Sequence, residues 1–280
     1  MFAIVLALLA SVSWGFSDFW GGLVTRRVAV FAVIFISQAV GFVAVAMMLG
    51  LSGDAFPGLD DLWPVALSAP LGVLGLAALY RGMAIGTMSI VAPISATGVA
   101  VPVIVGLATG DRLQAFQLVG IVAAAVGAIL AATEVHEDAE QSRDARRGVV
   151  LAVTAALCFG VNYVGLDASA DASTWWALMG GRVTELLVVM ILVIATGTSL
   201  RLSRPDLGVV AGIGAFDAAG LACFALATTS GLLSVASVLS ALFPIVIVIL
   251  ARVLLGERVR PIQAIGIGLA MTGVALIAAG

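Results

Sequence analysis

Residues 110–127 read GDRLQAFQLVGIVAAAVG, and residues 256–273 read GERVRPIQAIGIGLAMTG. Gly110-Asp111-Arg112 answers to Gly256-Glu257-Arg258, and Gly120 and Gly127 to Gly266 and Gly273, at an offset of 146. Upstream the offset is 145: Gly15, Gly75, Gly86, Ser89 and Ser95 recur as Gly160, Gly220, Gly231, Ser234 and Ser240. Self-similarity at a fixed period marks a duplicated unit. Each half holds five apolar spans. Because five is odd, two copies in series enter a membrane in opposite orientations. The chain thus divides into a first five-helix repeat, 1–133, a connecting loop, 134–147, and a second repeat, 148–280. Inverted repeats of this kind belong to secondary transporters, whose substrate site lies near mid-membrane between the halves.

Composition supports the membrane reading. Hydrophobic residues make up 62% of the chain and charged residues 10%, against about 25% charged in soluble domains. Mean hydropathy is +1.21. The fold class expected is an all-α polytopic membrane protein of ten transmembrane helices. Spans are placed at 2–23, 28–50, 62–82, 89–109, 113–133, 148–168, 174–197, 206–228, 234–254 and 261–279, each close to the 20 or so apolar residues a crossing needs. The opening stretch, Met1–Ala10, has no basic region before its apolar run and reads as a retained helix. Cys158 and Cys223 fall inside spans and read as small core residues. Pro205 and Pro261 sit at helix starts, whereas Pro70, Pro93, Pro102 and Pro244 fall inside spans and are expected to bend them. His136, the sole histidine, lies in the connecting loop and reads as solvated.

All 13 basic residues are arginine. Arg26, Arg27, Arg143, Arg146, Arg147, Arg201, Arg204, Arg252, Arg258 and Arg260 fall on one side of the ten-span topology. The other side carries Asp54, Asp60, Asp61, Asp111, Asp167 and Asp171 with only Arg112. Arginine-rich loops stay cytoplasmic, so both termini are expected in the periplasm of a bacterial inner membrane.

Ionisable groups within spans are costly, about 2.5–3.5 kcal/mol each by insertion scales, and face protein or a watery cavity. Asp18 shares a face of span 1 with Ser11, Trp14 and Gly21. It reads either as a substrate-facing acceptor or as a carboxylate reaching for the headgroups. Arg182 and Glu185 are three apart on span 7 and pair on one helical face. They read either as an internal pair or as a grip on a substrate carboxylate. Asp217 sits mid-span beside Phe216, with no partner in its own helix. It is the leading candidate for proton coupling, a hydrogen-bonded structural carboxyl being the alternative. Asn162 and Tyr163 hold the repeat positions of Ser17 and Asp18, and Tyr80 supplies an aromatic wall. Trp63, Trp175 and Trp176 begin spans and read as interfacial anchors, an aromatic wall being the alternative for Trp175. Ser234, Ser237 and Ser240 recur at i+3 in span 9, as a packing stripe or a polar pathway lining, and Gly208 and Gly212 form a close-packing GxxxG. No HExxH, GxSxG, Walker loop or Cys/His cluster occurs. An enzyme, a metal centre, a bound cofactor and a nucleic-acid partner are therefore not expected, and transport would run on gradients.

Ser13-Trp14-Gly15-Phe16 and its partner Cys158-Phe159-Gly160-Val161, Gly181-Arg182-Val183, the Gly86–Ser89 and Gly231–Ser234 turns, and Gly256-Glu257-Arg258 together resemble the EamA family of the drug/metabolite transporter superfamily. The resemblance spans nearly the whole chain as two EamA-type repeats. Two departures stand out: Ser37-Gln38 where the family often has an arginine, and Gly110-Asp111-Arg112 in place of Gly-Glu. The resemblance implies a central cavity between the repeats and a monomer that exports amino acids or related metabolites by alternating access. Lipid surrounds it, a small molecule is its substrate, and protons are the candidate coupling ion. The alternatives are a proton-coupled exporter of drugs or cationic compounds and a flippase for lipid-linked intermediates.

Overall fold

The computed structural model describes residues 2–109, 115–131, 139–230 and 238–279, and helix is the only regular secondary structure among them. The helices are α1 (Phe2–Val24), α2 (Val30–Ser52), α3 (Leu59–Ile85), α4 (Met88–Ala96), α5 (Ala100–Thr109), α6 (Ala115–Ala131), α7 (Ala139–Ala170), α8 (Thr174–Ala195), α9 (Arg204–Ser230), α10 (Phe243–Leu254) and α11 (Pro261–Ala278). A 23-residue helix such as α1 is about 35 Å long, sufficient for a hydrocarbon core of about 30 Å. Eight stretches are long and apolar enough to cross a membrane, and Ala115–Ala131 and Val238–Leu254 are shorter apolar helices. Each expected span has its helix, so the chain is an all-α polytopic membrane protein.

Two local readings need correction. α7 starts at Ala139, inside the stretch read as a loop, and runs for 32 residues. Not every interior proline interrupts its span. Pro70 and Pro93 are accommodated within α3 and α4. Span 4 breaks at the 3₁₀ turn Thr97–Val99, so that Pro102 lies in the first turn of α5. Span 9 breaks at residues 241–242, so that Pro244 opens α10. In a first turn the missing N–H removes no intrahelical bond. The two broken spans are repeat partners, and α4 packs on α10.

Packing obeys the duplication. α1 packs on α9 as α3 packs on α7, and α2 packs on α9 as α8 packs on α3. Side chains follow suit. A Cβ on Gly220 would press on the Trp14 ring at 2.7 Å, and one on Gly75 on the Phe159 ring at 2.8 Å. A Cβ on Gly15 would lie 2.9 Å from the Phe243 carbonyl oxygen, and one on Gly160 2.6 Å from that of Gly98. In both cases the two contacts are related by the same offset of 145. α6 and α11 cross backbone to backbone: Gly120 meets Gly273 and Gly127 meets Gly266. As one sequence rises the other falls, so these repeat partners run antiparallel, the relation that inversion requires. The GxxxG of Gly208 and Gly212 does not pack this way, since no described atom lies within 4 Å of a Cβ at either.

The apolar core occupies the half of the bundle next to the arginine loops. Phe19, Val24, Ile34, Met83, Met88, Val193, Ile247 and Met271 are buried in one contiguous cluster there. The loops beneath are tied. Gly256 takes a left-handed φ of 68°, and the Glu257 N–H reaches back to the Ala251 carbonyl at 3.2 Å. The left-handed residue turns the chain out of the helix, and glycine carries no Cβ penalty there. The turn aims the Glu257 carboxylate at the start of α4, where it accepts from Met88 N–H (3.0 Å), Ser89 N–H (2.9 Å) and the Ser89 hydroxyl (2.7 Å). Arg27 bonds Asp206 at 2.8 Å, joining the α1–α2 turn to α9.

Candidate functional site

With the arginine-side half packed shut, the helices diverge toward the other side around a cavity of about 1140 Å³. Its rim carries Met48, Leu51, Asp167, Trp175, Leu226 and Ala278, from the ends of α2, α7, α9 and α11 and the start of α8, all on the acidic-loop side. Its floor is mid-bundle, at Trp14, Asp18, Gln38, Tyr80, Arg182 and Asp217. Among the described residues, the cavity therefore reaches the bundle centre from the acidic-loop face.

Three helices bring a polar network to the floor. From α8, Arg182 donates to Asp217 Oδ2 on α9 at 2.6 Å and meets Glu185 Oε2 at 3.5 Å. It also donates to the Gln38 side-chain oxygen on α2, while Gln38 Nε2 donates to Glu185 Oε2 at 2.9 Å. Gln38 thus closes a ring, satisfying an amide and a carboxylate that would otherwise be buried unpaired. Arg182 and Glu185 are only 15% and 13% exposed and Asp217 29%, so the ring sits in the wall with Asp217 nearest the open space. Gly41 on α2 leaves room for it, since a Cβ there would touch Asp217 Oδ2 at 3.5 Å. Gly72, the repeat partner of Asp217, leaves room for Asn162 and Glu185 in the same way, both 2.9 Å from its would-be Cβ.

The other half of the floor is aromatic. Trp14 lies against Phe224 at 5.8 Å, and Phe159 stacks on Tyr163 at 6.4 Å. Tyr80 is buried and held against Gly21. The Ser17 hydroxyl donates to the Ile213 carbonyl at 3.0 Å, and Asn162 meets Ser68 at 3.4 Å, the same pairing in the other repeat. Asp18 faces the cavity one turn from Trp14 and near both tyrosines. It does not reach toward Arg26 and Arg27, and no basic partner contacts it among the described residues.

Of the residues singled out from sequence, Trp14, Asp18, Tyr80, Asn162, Tyr163, Arg182, Glu185 and Asp217 converge on this cavity. Phe216 does not. It points away from Asp217, stacks on Phe16 at 5.7 Å and lines a shallow groove with Trp20. Ser237 lies outside the described residues, as do Gly231, Ser234, Asp111, Arg112 and His136. Trp175 lines the rim, whereas Trp176 bonds the Asp54 carbonyl at 3.1 Å and packs on Phe56. Sequence reasoning missed Gln38 and Phe159 as site residues. The first was visible as an amide inside span 2, and the second as the repeat partner of Trp14.

A two-repeat helical membrane protein with a central polar cavity is built as a transporter. Residues 1–133 and 146–279 each match the EamA-like transporter family. The chain belongs to that family, whose members are membrane transporters of the drug/metabolite type and not enzymes. An uncharacterized protein of Methanocaldococcus jannaschii is 30% identical over 129 residues, 46% of this chain and 94% of that protein. That relative is thus about one repeat long. A solved crystal structure superposes with a TM-score of 0.62 over 98% of this chain and 95% of its own, at 16% identity. This likeness shows the fold.

Proposed function

We propose that the chain is a secondary transporter of a bacterial inner membrane that exports amino acids or related metabolites by alternating access, with the repeats 1–133 and 148–280 rocking about the central site. The observation that carries the reading is a mid-bundle polar site reached from the acidic-loop face and sealed from the arginine face. With the arginine face cytoplasmic, this is an outward-facing form, and both termini are periplasmic. At about 1140 Å³ the cavity lies a little above the usual range of ligand pockets, about 300–1,000 Å³, so it admits a solute of amino-acid size with its water.

Protons are the proposed coupling ion. A proton on Asp217 would break its pair with Arg182, leaving a guanidinium and a neutral carboxyl free to rearrange as the cavity changes face. The test is counterflow in proteoliposomes preloaded with members of a metabolite panel. The cargo is expected to accelerate uptake of its own labelled form, and an imposed pH gradient to make that uptake concentrative. Failure of every amino acid and amine to give counterflow, with transfer of a lipid-linked substrate between leaflets instead, would replace this reading by the flippase.

A further inference from the structure

Helices α3 and α7 pack antiparallel along their length, with Gly72 against Asn162, Gly75 against Cys158 and Phe159, Gly82 against Leu151 and Gly86 against Gly148. One side of this seam is core: Val73, Tyr80 and Met83 of α3 and Ala152 and Ala156 of α7 are buried there. The residues that precede the contact points turn the other way, because one step back along each of two antiparallel helices rotates both to the same side. They are Leu74 and Arg81 on α3 and Arg147, Val150 and Leu157 on α7, all exposed. In a membrane-spanning bundle this outer side meets lipid. Its apolar strip ends at the arginine face in two guanidiniums. Arg147 adjoins Gly148, and Arg81 lies about 8 Å deeper along the helix axes, at 1.5 Å per residue.

No carboxylate pairs with Arg81 among the described residues. Arg147 meets Asp144 on its own helix at 3.4 Å, with the two side chains 63% and 47% exposed, a surface pair that water screens and that holds the arginine weakly. The duplicated frame does not require charge at these places. The repeat positions of Arg81 and Arg147 are Leu226 and Phe2, both exposed. Packing therefore leaves the two arginines without a purpose. A guanidinium on a lipid-facing surface extends toward the headgroups, and its planar fork matches a phosphate.

We propose that the outer side of the α3–α7 seam binds an anionic phospholipid, with the phosphodiester held between Arg81 and Arg147 and the acyl chains lying along Leu74, Val150 and Leu157. Arg81 belongs to the first repeat and Arg147 stands at the head of the second, so one headgroup ties the repeats together on the sealed face. The site is separate from the central cavity and does not depend on the transport reading.

The experiment titrates the delipidated full-length chain in detergent with phosphatidylglycerol and with phosphatidylcholine of the same acyl chains, and takes dissociation constants from native mass spectrometry. The anionic lipid is expected to bind roughly 30-fold tighter, about fivefold for each arginine near the headgroup level. Arg81→Gln and Arg147→Gln should each lose about fivefold of that preference and the double variant nearly all of it, with affinity for phosphatidylcholine and the thermal melt unchanged, which shows the seam still folded. Arg26→Gln with Arg201→Gln removes the same charge from other exposed positions on the same face and should leave the preference intact. Equal binding of the two lipids, a preference that survives the Arg81 and Arg147 changes, or one lost as readily in the Arg26 and Arg201 control overturns the proposal. Displacement of the lipid by inorganic phosphate at millimolar concentration overturns it too, because the ligand would then be the free anion.

Discussion

Substitution of Glu257 should open the arginine face. Its carboxylate accepts three hydrogen bonds of 2.7–3.0 Å from the first residues of α4, and it stands at the positive end of that helix's dipole. Loss of an N-terminal cap costs about 0.5–2 kcal/mol, and loss of a carboxylate's interaction with the dipole about 0.3–1 kcal/mol. About 2 kcal/mol in all corresponds to roughly a 30-fold shift between the sealed and the open forms. The neighbouring Arg27–Asp206 pair, with the arginine side chain 56% exposed, is a surface bridge worth about 0–1 kcal/mol. Glu257 is therefore the stronger latch. The assay places a single cysteine at Ser95, on the cavity wall, in a Cys158→Ala, Cys223→Ala background. Maleimide labelling is then timed from the arginine face in inside-out vesicles. Glu257→Ala should speed labelling by roughly 30-fold, and Glu257→Gln, which keeps an acceptor and loses the charge, by less. If Glu257→Ala labels like the parent while Arg27→Ala labels faster, the latch has been assigned to the wrong contact.

Gly127→Leu would drive a side chain into the Ala270 backbone of α11. It should cost more than about 3 kcal/mol in a thermal melt or abolish folded protein, whereas Gly208→Ala, which meets no described atom, should be neutral or gain up to about 1 kcal/mol from helix propensity. Arg182→Leu removes the only cation of the ring, leaving Asp217 without its ion pair and Glu185 with the Gln38 amide alone, and should cost up to about 3–5 kcal/mol; the double change Arg182→Leu, Asp217→Leu should recover part of that loss in the same melt. Asp217→Asn keeps the shape of the pair, so exchange in proteoliposomes should survive while pH-gradient-driven accumulation is lost; unchanged accumulation would move coupling to Asp18 or Glu185. A reporter fused at Gly280 should be active in the periplasm, and cytoplasmic activity would overturn the orientation drawn from the arginine loops.

The architecture was legible because it rests on counts that survive any local ambiguity. The glycine offset and the odd number of spans each constrain the whole chain, and Gly15, Gly75, Gly120 and Gly127 are, with their repeat partners, points at which helices touch. The site was legible in part. Asp18, Arg182, Glu185 and Asp217 stand out because charge inside a span has few physical explanations. What one helix's sequence withholds is its neighbours: Asp217 has no partner on its own helix, yet Arg182 lies 2.6 Å away on another. Phe216 was misplaced for the same reason, since adjacency to Asp217 in sequence puts it about 100° round the helix. Gly208 and Gly212 show that a small-residue motif marks a possible close approach, and only the partner helix decides whether it occurs. The Gly-Glu-Arg turn was noticed as a resemblance, while its work as the cap of a helix in the other repeat depends on a contact 168 residues away.

The crossing of α6 and α11 is self-complementary, with the same glycines on both sides of the contact. A chain of half this length could build the same frame by pairing with a second copy of itself inserted upside down. Every residue on its axis would then come in twos, and a site with one arginine facing two acids would be out of reach. Covalent fusion removes that restriction. Asp18 in one repeat stands where Tyr163 stands in the other, and Arg182 where the first repeat has Ser37. A solute bound at such a centre meets different chemistry from each half, so it can be held in one orientation throughout the passage.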